Sequence, residues 1–351
     1  MGKSEIAYLT LSQEDLIEAG AFDLPMAIQA LKEGLFKFKD KRILFPDKIV
    51  QIFKEETQER INCLPATLLD EKICGVKWVS VFPPNPRRFG VQNLSAIIVL
   101  SEIEKGFPVC VMDGTLCSNM RVAAMGAAAA EVLSRKDSEV IGFIGAGEQA
   151  KMHLLGMKSV RPGLKVCKVA AVSNAEEEAF IRDLAPLMPD MTFVACNTVL
   201  QDAVEGADII VTATSAQAPL LKAAWIKKGA FYSHIGGWED EYAVVQMADK
   251  IVCDDWETVK HRTQTVSRCY KDGVITDDDI YGNLIEILDG TKPGRENDDE
   301  MIYFDAVGLA YADISIANAM FNRAKQAGVG TKSYLQEKMI FEKDLTGRIK
   351  F

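Results

Sequence analysis

Apolar residues recur at helical spacing after Asp23-Leu24-Pro25. Met26, Ile28, Ala30, Leu31, Leu35 and Phe36 predict an amphipathic helix with an Asp–Pro start. Beyond it the period shortens. Residues 48–53, 61–64, 75–81 and 95–100 are short runs rich in β-branched and aromatic side chains, divided by Pro, Gly and charged clusters, and they predict a sheet of several strands. The Ala-rich stretch 119–134, which contains Arg121, predicts a helix leading into the next unit. From Glu139 strand and helix alternate, with strands expected at 140–144, 166–173, 192–196, 209–214, 230–235 and 250–253. Six apolar strands joined by crossover helices imply an α/β unit with a doubly wound parallel sheet. A long connection rich in Asp and Gly follows, and 313–327 returns to helical spacing, as a helix packing back on the first part of the chain would. The doubly wound unit is then an insertion in a discontinuous α+β domain. The expected division is 1–127 and 314–351 for the outer domain and 128–313 for the insert.

Composition narrows the class. At 351 residues, 48% hydrophobic and 26% charged, the chain has material for two cores and is not a disordered or coiled-coil protein. A net charge of −10 argues against a nucleic-acid partner, which needs a basic face. Eight scattered cysteines without a C-x-x-C or neighbouring His read as small apolar residues in a reducing compartment, and no metal site is expected. Met1 to Glu5 lack the apolar core of a signal peptide, and no run reaches a membrane span, so the expected location is cytoplasmic and no membrane partner is expected.

The sharpest local signal is Gly145-Ala146-Gly147-Glu148-Gln149-Ala150, directly after a strand and opening a helix. Gly145 allows a tight turn, Gly147 lets a pyrophosphate approach the backbone, and small Ala150 lets helix and strand pack closely, while helix N–H groups receive the anion. Gly145, Ala146, Gly147, Gln149 and Ala150 are therefore candidate dinucleotide contacts. The acidic residue that usually holds the ribose 2′-hydroxyl is missing, because the second strand ends Val172-Ser173-Asn174. Its absence leans toward NADP, although no Arg stands there and Glu176, Glu177 and Glu178 follow. The choice between NAD and NADP stays open, with Ser173 and Asn174 as the ribose candidates. Thr212, Ala213, Thr214 and Ser215 end the fourth strand, at the carboxyl edge where open α/β sheets bind ligands, and Gly236 ends the fifth.

Cations also recur in otherwise apolar surroundings: Lys48, Lys77 and Arg121. An unpaired charge in a core is costly, and a substrate carboxylate would supply the partner. His153 lies on the helix after the glycine loop, and His234 is either a packed strand residue or a proton carrier near the ligand edge. Residues 296–300 read as a solvated acidic loop.

The chain resembles the ornithine cyclodeaminase and mu-crystallin family over essentially its whole length. The resemblance rests on Leu64-Pro65-Ala66-Thr67, Gly75-Val76-Lys77, Met112-Asp113-Gly114-Thr115 with Ser118 and Arg121, the Gly145 loop, Ala207 to Ser215, and Phe304 to Ala310. It implies a Rossmann domain beside an α+β domain that binds substrate and makes a homodimer, with the active site in the cleft between. It implies hydride transfer at a carbon–nitrogen bond of a small amino or imino acid, as in amino-acid dehydrogenases and ketimine reductases. Cyclodeamination of ornithine is the runner-up, and a non-catalytic ligand-binding role of the mu-crystallin type is the third reading.

The family's carboxylate-binding cations fall on Lys77, Arg121 and, in place of an Arg, Lys48, which keeps the charge without the bidentate fork. The family's proton-transfer Asp falls on Trp238, with a shortened loop in Gly236-Gly237-Trp238-Glu239-Asp240. The resemblance therefore makes Lys77 a catalytic candidate with Glu239 or Asp240, Trp238 a substrate-pocket candidate, and Asp313 a match to an acidic family position that caps or orients.

Overall fold

The structure is a computed structural model that describes residues 5–348, so the N-terminal stretch read above for a signal peptide lies largely outside the described residues. In chain order, the first elements are β1 (Ile6–Leu11), α1 (Gln13–Glu18), α2 (Leu24–Lys39), β2 (Ile43–Leu44), β3 (Ile49–Lys54), β4 (Glu59–Leu68), β5 (Ile73–Val81), α3 (Asn85–Phe89), β6 (Leu94–Glu102) and β7 (Pro108–Asp113). Next come α4 (Thr115–Leu133), β8 (Val140–Ile144), α5 (Glu148–Val160), β9 (Val166–Ala170), α6 (Asn174–Leu184), β10 (Thr192–Ala195), α7 (Leu200–Val204), β11 (Ile209–Thr212) and β12 (Gln217–Leu221). The chain continues through β13 (Phe231–His234), β14 (Trp238–Asp240), α8 (Tyr242–Gln246), β15 (Lys250–Cys253), α9 (Trp256–Val259), α10 (Thr265–Lys271), β16 (Gly282–Asn283), α11 (Leu284–Leu288) and β17 (Ile302–Asp305). It ends with α12 (Ala310–Ala327) and β18 (Thr331–Gln336).

Two compact units result: Met1–Met26 with Asp40–Ser118 and Ala310–Phe351, and Ala27–Lys39 with Asn119–Leu309. The first boundary falls at Ser118 rather than at 127. Small residues explain why most of α4 goes with the second unit. A methyl group on Gly156 of α5 would lie 3.0 Å from the Ala123 carbonyl oxygen, so the two helices approach through their backbones. Residues 27–39 join them through ion pairs from Lys32 to Glu131 and from Lys39 to Asp289.

In the first unit, β18-β1-β7-β6-β5-β4-β2 form one sheet, with β3 paired to β4. Burial alternates along β4 and β5, as expected when one face is covered. The covering element is α12, whose Ile314 lies so close to β5 that a methyl group on Gly75 would come within 2.8 Å of it. The helix expected at 313–327 thus exists, starts at Ala310 and packs against β4 and β5.

The second unit is a sheet of order β10-β9-β8-β11-β13-β17-β15-β16 in which every pairing is parallel. Its central strands β11, β13, β15 and β17 are buried at every position. That continuous burial is the signature of a sheet covered on both faces. The six expected strands are present and mostly shorter, since 171–173 leave the sheet to cap α6 and 213–214 turn away after β11. Two further strands, β16 and β17, were not expected. β17 is a four-residue strand, three apolar residues and Asp305, just behind an acidic cluster, and it inserts between β13 and β15. The cluster itself is not wholly solvated, because Glu296 and Glu300 both pair with the buried Lys250 at 2.7 and 3.1 Å. Six of the eight cysteines are buried. Among the described residues no helix is long and apolar enough to cross a membrane.

Candidate active site

Gly145 opens the turn after β8 with φ +105°, and a side chain there would meet the Ala213 carbonyl oxygen at 2.7 Å. Glycine is required at this position by both conformation and space. Gly147 is different: a methyl group placed on it would meet nothing within 4 Å, so this flank of the backbone is open. Gly147 is also the N-cap of α5, which no side chain caps. An uncapped helix end with an open glycine flank fits the pyrophosphate of a dinucleotide. Ala150 is fully buried, as close helix–strand packing needs, and Ala146 is nearly so. The Gln149 side chain is turned to Asn119, to which its amide donates at 2.6 Å.

At the end of β9 the candidates divide. Ser173 is the N-cap of α6 and accepts from the Glu176 amide, while Asn174 is exposed. Glu177 is fully buried and accepts the backbone amides of Ala171, Asn197 and Thr198 at 3.0, 2.8 and 2.7 Å, so it is committed to the loops and turned away from any ribose.

Across the carboxyl edge of the sheet, Thr212, His234, Asp305 and Cys253 are register partners at the ends of β11, β13, β17 and β15. Behind them lies a fully buried polar cluster. Glu239 accepts from the Thr212 hydroxyl at 2.8 Å, the Thr214 amide and hydroxyl at 2.6 Å each, and the Gly236 amide at 2.8 Å. Its carboxylate therefore ties together the two loops that leave β11 and β13. Asp240 accepts from Thr265 at 2.6 Å, Tyr303 at 3.1 Å and Tyr232 at 3.3 Å, and burial pushes its carboxyl up to about 6. His234 holds Asp305 through Nδ1 at 2.7 Å, and its Nε2 lies 3.6 Å from both Glu239 and Asp240. Burial opposes a charged ring, yet the Asp305 carboxylate, with Asp240 and Glu239 behind it, raises His234 to about 9. Both sequence candidates for proton transfer, Glu239 and Asp240, are thus fully buried with their oxygens occupied by donors from the same unit. Ser215 is exposed and Ala213 half-buried in the loop above them.

Trp238 pairs with Gln217 in the small β12–β14 sheet, and the Arg268 guanidinium lies over its indole at 4.6 Å. Arg121 rests against Gly308: a methyl group there would meet its guanidinium at 2.8 Å. Gly308 has φ +85°, and its amide and that of Val307 donate to the buried Asp254, whose carboxyl burial raises to about 7. His153 is a packed residue. Its Nδ1 faces the Gln149 carbonyl at 2.8 Å, and burial lowers it to about 4, which keeps the ring neutral.

In the first unit Lys77 is 2% exposed in β5 and donates to Asp313 of α12 at 2.7 Å and to Ser118 at 3.2 Å. The acidic residue opposite the candidate lysine is thus its ion-pair partner. Lys48 is half-buried immediately before β3. Sequence reasoning missed Asp305 and Asp254 as members of a site. The signal available for Asp305 was His234, a lone titratable residue at the end of a strand of the same sheet.

A parallel sheet with an open glycine turn and a polar carboxyl edge defines a dinucleotide-binding α/β protein. A family model, that of the ornithine cyclodeaminase/mu-crystallin family, matches residues 11–328, and the chain belongs to that family. The chain is 31% identical over 328 residues to the alanine dehydrogenase of Archaeoglobus fulgidus, covering 92% of this chain and 97% of that one. Among solved structures, the Thermococcus litoralis Delta(1)-pyrroline-2-carboxylate reductase in complex with NADH and L-proline matches with a TM-score of 0.87 at 29% identity, over 92% of this chain and 99% of that one. An archaeal alanine dehydrogenase dimer with bound NAD matches with a TM-score of 0.85 at 29% identity, over 94% of this chain and 100% of that one.

Proposed function

We propose that the protein is an NAD(P)-dependent oxidoreductase that transfers hydride at the carbon–nitrogen bond of a small amino or imino acid. The observation that carries the reading is the glycine turn at the uncapped start of α5, open at Gly147 and closed at Gly145. Bound there, the nicotinamide cofactor supplies or accepts the hydride. The chain's own residues orient the substrate and handle protons. Lys77, Arg121 and Lys48 are the cations for the substrate carboxylate, with Asp313 fixing the Lys77 ammonium. Glu239 holds the loops at 212–214 and 236, and Trp238 with its stacked Arg268 lines the ligand edge beyond them. On this reading Glu239 orients and does not exchange protons with substrate, because four donors already occupy its oxygens.

The lean to NADP rests on the end of β9, where the one buried carboxylate, Glu177, faces inward and repels no 2′-phosphate. The relatives with bound cofactor carry NAD or NADH, so both forms belong in the assay. Homodimerisation is supported by an apolar row across the first unit's sheet. Ile49, Trp78 and Ile97, joined in register through Cys63, are 62%, 45% and 52% exposed, more than scattered surface residues explain.

The test is fluorescence of NADH and NADPH on mixing with the purified protein, followed by pyruvate with ammonia, cyclic imines and ornithine as substrates. Saturable enhancement and imine-dependent oxidation of the cofactor are expected. Failure to bind either cofactor overturns the reading. Proline formed from ornithine without net cofactor change replaces it with cyclodeamination.

A further inference from the structure

The buried cluster behind the carboxyl edge contains more charge than a structural role for Glu239 needs. One imidazole is surrounded by three carboxylates: Asp305 from β17, and Glu239 and Asp240 from β14. The remaining faces are Tyr232 of the same strand, Tyr303 of β17 and, against Asp305, Cys253 and Asp254 at the end of β15. Among the described residues no other cation forms an ion pair with these three carboxylates, and all four groups are fully buried. Three carboxylates so placed require a cation, because each is removed from water and repels the others. The imidazole is the group there that can supply it.

Position gives the cluster its use. Glu239 joins Thr212 and Thr214 after β11 to Gly236 after β13, and these loops frame the edge at which a parallel sheet binds its ligand. Thr214 also packs over the glycine turn, since a side chain on Gly145 would meet its methyl group at 3.0 Å. A shift of Glu239 therefore moves the loop that covers the phosphate turn.

We propose that His234 is a positioning residue for cofactor binding: as an imidazolium held by Asp305, it retains the Glu239 carboxylate between the two loops and so keeps the nicotinamide end of the cofactor site formed. Loss of its proton leaves Glu239, Asp240 and Asp305 facing one another without a cation, and the loops separate. The inference rests on the dinucleotide reading of the site. Because His234 holds its proton well above the usual imidazole range, the site stays formed at neutral pH and opens in alkali.

The test is titration of the full-length protein with NADH, followed by nicotinamide fluorescence, from about pH 7 to about pH 10. Affinity is expected to fall by about ten-fold or more through an inflection near the His234 value. In Asp305→Asn, which keeps a hydrogen-bond acceptor for Nδ1 and removes the nearest charge, the inflection moves toward neutrality by about one pH unit or more. His234→Gln binds NADH weakly at neutral pH and shows no inflection. Nitrogen-15 spectra of the wild type supply a readout that needs no variant to fold: the His234 ring carries both protons at neutral pH and loses one in the same alkaline range. An affinity flat with pH, an inflection unmoved by Asp305→Asn, or a His234 ring neutral at pH 7 would falsify the proposal while leaving the dinucleotide reading intact. Absence of NADH binding at every pH overturns that reading instead.

Discussion

Each unit contains a buried cation joined to an aspartate at 2.7 Å: Lys77 with Asp313 in the first, and His234 with Asp305 in the second. The lysine ammonium also donates to a neutral hydroxyl, that of Ser118. The histidine is outnumbered by carboxylates, which lie at 3.6 Å on its far side. A permanent cation suits recognition of a carboxylate, whereas a titrating cation suits control of neighbouring loops. On the proposed reading the same bond length serves two purposes, decided by what surrounds it.

The largest effect is expected from breaking the lysine pair. Lys77→Met removes the ammonium that donates to the buried Asp313, and breaking a buried pair from one side costs about 3–5 kcal/mol; it also removes the charge proposed to bind the substrate carboxylate. Both the denaturation midpoint and turnover should fall. Lys77→Met with Asp313→Leu replaces the pair by apolar groups and recovers most of the stability, because well-packed substitutes for a buried pair are near neutral. Activity should stay lost. If the double variant regains turnover, Lys77 is structural and the distinction between the two pairs collapses.

The next effect is in pH. His234 is raised from 6.5 to about 9, so folding binds a proton there. The associated stabilisation is complete below about 6.5, declines as pH rises through the window, and is gone above about 9. Its size is on the order of 3 kcal/mol, from about 1.4 kcal/mol for each pH unit between the unfolded and folded values. Asp240 and Asp254, raised by burial from 3.8 to about 6 and about 7, add a decline of the same sign at lower pH. Urea midpoints measured across this range should fall steadily toward alkali. Asp305→Asn should flatten the upper part of the curve, and Asp313→Asn should leave that part's slope unchanged.

The two pairs also differ in how far they could be read from the chain. Lys77 stands out as a lone cation in a β-rich run, and the glycine turn announces itself by its spacing. Asp313 was visible as an acidic position in a helix, but its pairing with a residue 236 positions away depends on α12 packing over β5. The histidine cluster was less legible. Its members come from β13, β14 and β17, and β17 escaped notice because three apolar residues and an aspartate behind an acidic cluster carry no periodicity. Without β17 between β13 and β15, Asp305 has no place beside His234. Glu239 was found as a residue but its proposed role was not legible, because a proton-transfer acid and a loop-tying carboxylate look alike until the donors around them are placed.

A more local perturbation separates loop-tying from proton transfer directly. Glu239→Gln keeps the size of the side chain and removes its charge. The amide turns a donor toward at least one of the Thr212, Thr214 and Gly236 donors, and losing hydrogen bonds to a charged group costs about 1.5–3 kcal/mol. NADH affinity should fall by about ten-fold or more at neutral pH. A variant that binds cofactor normally but fails in turnover would return Glu239 to the role of a proton-transfer residue.

The smallest effect is expected at Gly308, where Arg121, a cation proposed for the substrate, rests against the backbone. Gly308 has φ +85°, and its amide is held by Asp254, so the turn cannot easily relax. Gly308→Ala places a methyl group 2.8 Å from the Arg121 guanidinium. The backbone strain costs about 1–2 kcal/mol, and the flexible arginine end absorbs the clash by moving. Stability should therefore drop slightly, while KM for a carboxylate substrate rises several-fold and NADH affinity, which the proposal assigns to the His234 and Glu239 cluster, stays unchanged. A variant that loses cofactor affinity instead would show that the turn at 306–308 communicates with that cluster through Asp254 and Asp305, which are successive in the hydrogen-bonded edge because the Asp254 amide donates to the Asp305 carbonyl at 2.9 Å.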